Sequence, residues 1–173
     1  MAPVQTASPL KAGKTALEFI SNNWDKYSGL SGTDLRAAVA TALGEQQQKI
    51  WQNIVSSIKD AKTTTLGSLD AAKRGEVEAF LQNAGISYKE NQTISALKGM
   101  VTKRFGVREG RPNDSHPFGN FMQQFSGFFN KEGRITMSQQ EFSQKAAAID
   151  VTQPAEQVKA NLERTAQATQ KQA

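Results

Sequence analysis

The chain has 173 residues, 38% hydrophobic and 21% charged, with a formal charge of +5, no cysteine and a single histidine; its pI is about 9.5 and its mean hydropathy −0.54. That length suits one domain with its own core, while the residue supply excludes disulfides, thiol catalysis, cysteine-ligated zinc and any histidine-rich metal centre. No apolar run approaches the roughly 20 residues needed to cross a bilayer, and no cleavable signal peptide is evident, which leaves cytoplasmic, virion-borne and signal-peptide-independent delivery open.

Residues 1–9 carry Pro3 and Pro9 among serine and threonine and read as a flexible N-terminal arm. From Leu10 the pattern turns helical, with Ala16, Leu17, Phe19, Ile20, Trp24 and Tyr27 at three- and four-residue spacing up to Ser28 and Gly29. A second run opens near Ser31 or Thr33. Its apolar stripe passes Gly44 and resumes at Ile50, Trp51, Ile54 and Val55, so residues 34–61 form one helix bent at Gly44 or two in series. Ser68 is placed to cap a third run that ends at Gly85, and Thr93 to cap a fourth that ends at Gly106. Between Val107 and Pro117, glycine, proline, asparagine, aspartate and serine crowd together as in a surface loop. On a helical wheel Phe118, Phe121, Met122, Phe125, Phe128 and Phe129 fall within about 120°, which predicts a strongly amphipathic helix over 118–129. Ser138 and Glu141 form a capping box for another helix, joined to it by a connector or very short strand at 134–137. Pro154 then suits the first position of a polar helix or tail over 153–173. With no period-two alternation and no internal repeat, the sequence predicts an all-α protein. Its expected form is a single compact bundle of six or seven helices over 10–152, with the arm in front and a peripheral polar helix behind.

The stretch around Asn130 to Gly133 has the outline of a calcium-binding helix-loop-helix. Such a loop needs oxygen ligands at its first, third and fifth positions, glycine at the sixth and a bidentate glutamate at the twelfth. With Gly133 sixth, Phe128 comes first and Gln139 last; with Glu141 last, Arg134 comes fifth and Ile135 sixth. Neither register offers a cation a complete set, and Glu141 is accounted for by its cap. An ordinary turn is expected there, and no metal.

Catalytic chemistry is poorly supplied. His116 lies between Ser115 and Pro117 and reads as an exposed turn residue; Asp114, Ser115 and His116 are adjacent in sequence and cannot converge as a triad. No glycine-rich nucleotide fingerprint is present. The expectation is a protein that is not an enzyme, with no cofactor and no evident small-molecule site.

Two segments stand out for interaction. Residues 98–111 hold Lys98, Lys103, Arg104, Arg108 and Arg111 against Glu109 alone, enough to meet several phosphates, with Phe105 or Tyr88 available to stack on a base. Changing Arg104 and Arg108 to glutamate is then expected to leave stability nearly intact. The helix, Gly85-Ile86, extended loop and second helix of residues 73–105 resemble in outline the SAP and LEM-like modules, a resemblance that implies DNA or chromatin-type binding and assigns no family residue to this chain. The second segment is the aromatic one. Phe118, Phe121, Phe125 and Phe128 either fill the core, the reading favoured by the modest apolarity of the other helices, or form a knob for a protein partner. The functional expectation is a non-enzymatic helical protein of macromolecular interaction, either a host-delivered effector or a structural or assembly protein. Its partner is another protein or its own copies, or alternatively DNA or RNA held by the basic segment, as in a viral coat or packaging protein.

Overall fold

The computed structural model describes residues 4–152. The expected polar helix over 153–173 lies outside the described residues. Within them the chain is mostly helical, as the sequence predicts, and it also carries one two-stranded ribbon.

Helix α1 (Pro9–Asn22) starts where Ser8 accepts from the Lys11 amide at 3.4 Å, with proline in its first turn. The predicted run to Gly29 is broken at Asn23, whose φ of −129° and ψ of 45° leave the helical region, so a short α2 (Trp24–Tyr27) follows as a separate turn. Helix α3 (Gly32–Val55) runs uninterrupted through Gly44 for 24 residues, about 36 Å, so there is one helix and not two in series, but it stops at Val55 and leaves residues 56–61, expected as its continuation, outside any helix. A 3-10 turn at Leu66–Ser68 then takes up Ser68, and the next helix, α4 (Ala71–Asn83), is capped by Asp70, whose carboxylate accepts from the Lys73 amide at 2.8 Å. The displacement of the cap follows from chemistry: an ionised carboxylate at a helix N-terminus is a stronger acceptor than a hydroxyl. Helix α5 (Ile94–Phe105) has the cap and the end that the sequence predicts, with Thr93 accepting from Ala96 at 3.2 Å and Gly106 leaving the helix.

The segment expected as a featureless loop contains β1 (Val107–Arg108) and β2 (Arg111–Pro112), antiparallel, both packed on α3. The aromatic stretch is not one helix. Only Phe121–Gln124 (α6) and a 3-10 turn at Ser126–Phe128 are helical, with breaks at Asn120 and at Phe125 (φ −126°, ψ 55°). Helix α7 (Gln139–Ala147) closes the described fold, with Ser138 accepting from the Glu141 amide at 3.2 Å. Between them, Asn130 Oδ1 accepts from the amides of Glu132 and Arg134, and Gly133 takes a φ of +72°. The asparagine oxygen thus closes the turn on itself.

The helices assemble around α3, which touches α1, α2, α4, α5 and both strands. Most of the aromatic side chains fall into two chains of rings, with Phe19 and Tyr27 a separate pair at 5.1 Å. Trp51 meets Phe80 at 5.4 Å between centroids, Phe80 meets Phe105 at 6.2 Å and Phe105 meets Phe118 at 6.3 Å. The second chain runs from Trp24 to Phe142 at 5.4 Å, to Phe128 at 5.1 Å and on to Phe125 at 6.3 Å. The two breaks in the 118–129 backbone serve this arrangement: a straight helix presents its rings to one neighbour, whereas the broken path sends Phe118 to α5 and the later rings toward α1 and α7.

The described part of the N-terminal arm is docked. The amides of Thr6 and Ala7 both donate to the Asn83 carbonyl, at 2.7 and 2.8 Å, and Thr6 is buried. The arm passes close over Gly85, whose φ of +71° ends α4 and where an added Cβ would lie 3.2 Å from Ala7 Cα.

Candidate nucleic-acid interface

The five cationic residues singled out by the sequence separate into different roles. Arg108 and Arg111 face each other directly across the ribbon, joined by a two-residue turn in which Glu109 (φ 55°) and Gly110 (φ 71°) are both left-handed. That is a type I′ reversal, the kind whose twist suits a tight hairpin. Successive residues of a strand point to opposite faces. Pro112 is buried and its partner Val107 half-buried, which anchors one face of the ribbon and leaves the two arginines exposed on the other. Their Cα atoms are about 5.5 Å apart for such a pair, and like charges placed opposite each other destabilise a ribbon. Among the described residues neither arginine takes part in an ion pair; the pairs formed are Arg36 with Asp114 and Lys73 with Glu76.

Lys103 is exposed in the last turn of α5, just before the ribbon. Lys98 is also exposed but lies five residues earlier, about 140° around the helix from Lys103. The two lysines do not share a face.

Arg104 must be removed from the expected surface patch. Its Nε donates to the Ala84 carbonyl at 2.9 Å, Nη1 to Ser115 at 3.2 Å and Nη2 to Thr6 at 3.2 Å. One guanidinium therefore ties the end of α4, the loop after the ribbon and the N-terminal arm to α5. Burial pulls its pKa below the ordinary value, though arginine stays charged in proteins. The expectation that an Arg104 and Arg108 reversal is harmless fails at Arg104 for this reason. Phe105 is buried, so it offers no ring to a base; Tyr88 is half-buried, and its hydroxyl accepts from Gln82 at 2.9 Å.

His116 is not the exposed turn residue that its polar neighbours suggest. Its side chain is 1% exposed. Nε2 donates to the Phe105 carbonyl at 3.1 Å and Nδ1 accepts from the Phe118 amide at 3.1 Å, which fixes the neutral Nε2–H tautomer. Burial pushes its pKa down to about 4, partly opposed by the bond to Phe105 and reinforced by the charges of Arg36 and Arg104. Gly44 of α3 makes room for this junction, since a Cβ there would collide with the Phe105 carbonyl and lie 3.1 Å from His116 Nε2. Arg36, which no sequence motif marks, donates from Nε to Gly119 at 2.6 Å and from Nη2 to Asn113 at 3.3 Å.

Phe118, Phe121, Phe125 and Phe128 are buried to 1% exposure or less. The alternative in which they form an exposed knob is corrected accordingly: the described fold spends these rings on its interior. Among the described residues no three His, Asp or Glu side chains are grouped to hold a metal ion, and no helix is long and apolar enough to cross a membrane. A groove of about 610 Å³ lies between α3 and α4, where Lys73 is engaged with the Ile54 carbonyl and with Glu76, both at 2.9 Å.

No family model matches the chain, and no curated protein or solved structure is significantly similar to it.

Proposed function

We propose that this protein works by macromolecular contact rather than by catalysis, and that the partner it meets at the ribbon is nucleic acid, held through its phosphate backbone. The opposed, exposed Arg108 and Arg111 carry this reading. Two guanidiniums held side by side repel each other until an anion lies between them, and arginine forks match phosphate oxygens bidentately. Lys103 extends the positive surface toward α5. Base recognition has no support, because Phe105 is enclosed in the core. Contact is therefore independent of sequence. Of the two biological settings, a structural or assembly protein is the one that a phosphate contact serves, rather than a delivered effector.

The test is fluorescence anisotropy of labelled single- and double-stranded oligonucleotides titrated with the protein at about 50 and 200 mM salt. Three phosphate contacts correspond to a loss over that range of roughly 40-fold in affinity for the duplex and roughly 20-fold for the single strand. The double variant Arg108→Glu/Arg111→Glu is expected to abolish binding while the circular dichroism and melting curve stay unchanged. Absence of binding at both salts, or binding that survives the double reversal, refutes the reading.

A further inference from the structure

We propose that His116 is an acid-sensitive latch on the arginine ribbon, holding residues 106–115 closed as a neutral ring and releasing them when the ring takes up a proton. The inference rests on the ribbon being the binding surface and adds its regulation.

The geometry makes the imidazole a clasp. One nitrogen holds the Phe105 carbonyl, where α5 gives way to β1, and the other holds the Phe118 amide, where the chain returns to the core. The whole ribbon lies between these two points. Nδ1 can accept from Phe118 only through its lone pair, so protonation places one N–H against another inside a buried site. The groups around the ring make that worse. Arg36 approaches from α3, bonded to the carbonyls of Asn113 in the segment and of Gly119 just beyond it, and Arg104 from α5, bonded to that of Ser115. The carboxylate in this set, Asp114, is exposed and stands 3.9 Å from Arg36. A protonated ring would thus be repelled by two guanidiniums, with no buried carboxylate among the described residues to offset its charge.

The direction with pH follows. The latched ring titrates at about 4, against 6.5 for a released one. The closed form therefore binds fewer protons than the open form. Its advantage is complete above about pH 6.5 and falls as the pH drops toward 4, by roughly a hundredfold or more over the window.

Hydrogen exchange of the full chain, read by mass spectrometry from pH 7 to 3.5 and corrected for intrinsic rates, tests the latch without requiring a ligand. Peptides spanning 106–118 are expected to lose protection as the pH falls through the window while α1 and α4 keep theirs. In His116→Gln, which retains a donor for Phe105 and cannot be protonated, that step is expected to vanish; in Asp114→Asn it is expected to remain. An unchanged acid step in His116→Gln, or simultaneous loss of protection in loop and helices, overturns the proposal. Should His116→Gln fail to fold, NMR titration of the single histidine in the wild type decides: a pKa below about 5 with the Nε2–H tautomer supports the latch, and a pKa at about 6 or above overturns it. Oligonucleotide binding at neutral pH is read separately. A missing acid step with salt-sensitive binding intact removes the latch alone, and an acid step without binding removes the nucleic-acid reading alone.

Discussion

Replacing Arg104 with alanine removes three bonds from one charged donor to three carbonyls that are far apart in sequence. A hydrogen bond involving a charged group contributes about 1.5–3 kcal/mol. The contact with Ser115 is exposed, where water substitutes readily, while those with Ala84 and Thr6 are partly buried. Counting the two partly buried bonds at the lower end gives a loss of about 3 kcal/mol. For a chain of this size that corresponds to roughly 6–12 °C in melting temperature. Urea unfolding is the assay, with the midpoint expected to fall by about 1–3 M at unchanged slope. Arg104→Lys, a point charge able to serve one of the two partly buried carbonyls, should recover about half of the loss, and Arg108→Ala should stay within about 0.5 kcal/mol of wild type. An Arg104→Ala midpoint no different from that of Arg108→Ala would refute the assignment of Arg104 as a structural tie.

Phe125→Ala empties a buried ring site between α6 and the 3-10 turn, and calorimetry or urea unfolding should show a loss of about 3–5 kcal/mol; a change below 1 kcal/mol would return this ring to the surface. Glycine-to-alanine changes should separate by site. Gly75→Ala in α4 meets open space and should raise stability by about 0.5–1 kcal/mol, whereas Gly44→Ala drives a methyl into the Phe105 carbonyl and should lower it by about 1–3 kcal/mol. Equal and positive shifts at both positions would show that α3 and α5 do not approach as closely as described.

The helix ends were legible where the local chemistry is self-contained. Thr93 and Ser138 cap because their hydroxyls reach amides three residues on, a geometry that needs no tertiary partner. Asn23 and Phe125 break their helices for reasons that lie elsewhere: the α1 end and the divided ring clusters must fit α3, α5 and α7, and periodicity alone reports none of this. The ribbon is nearly invisible because each strand is two residues long and only Glu109 and Gly110 signal the turn. At the candidate site the sequence located the charge but not its use. Lys103, Arg108 and Arg111 stay exposed, yet Arg104 turns inward because carbonyls of Thr6, Ala84 and Ser115 converge on it from residues far away in the chain. His116 misleads in the opposite direction, since polar neighbours predict exposure while the two backbone groups it bonds hold it in the core.

The two chains of rings give the protein its own optical labels. Each contains one of the two tryptophans, Trp51 fully enclosed beside Phe80 and Trp24 half-buried at the edge of Phe142. Fluorescence of Trp24→Phe therefore watches the α3–α4–α5 side, where the ribbon is anchored, and that of Trp51→Phe watches the α1–α7 side. Coincident unfolding curves from the two variants would mean that both aromatic clusters melt as one cooperative unit; separated curves would reveal which cluster lets go first.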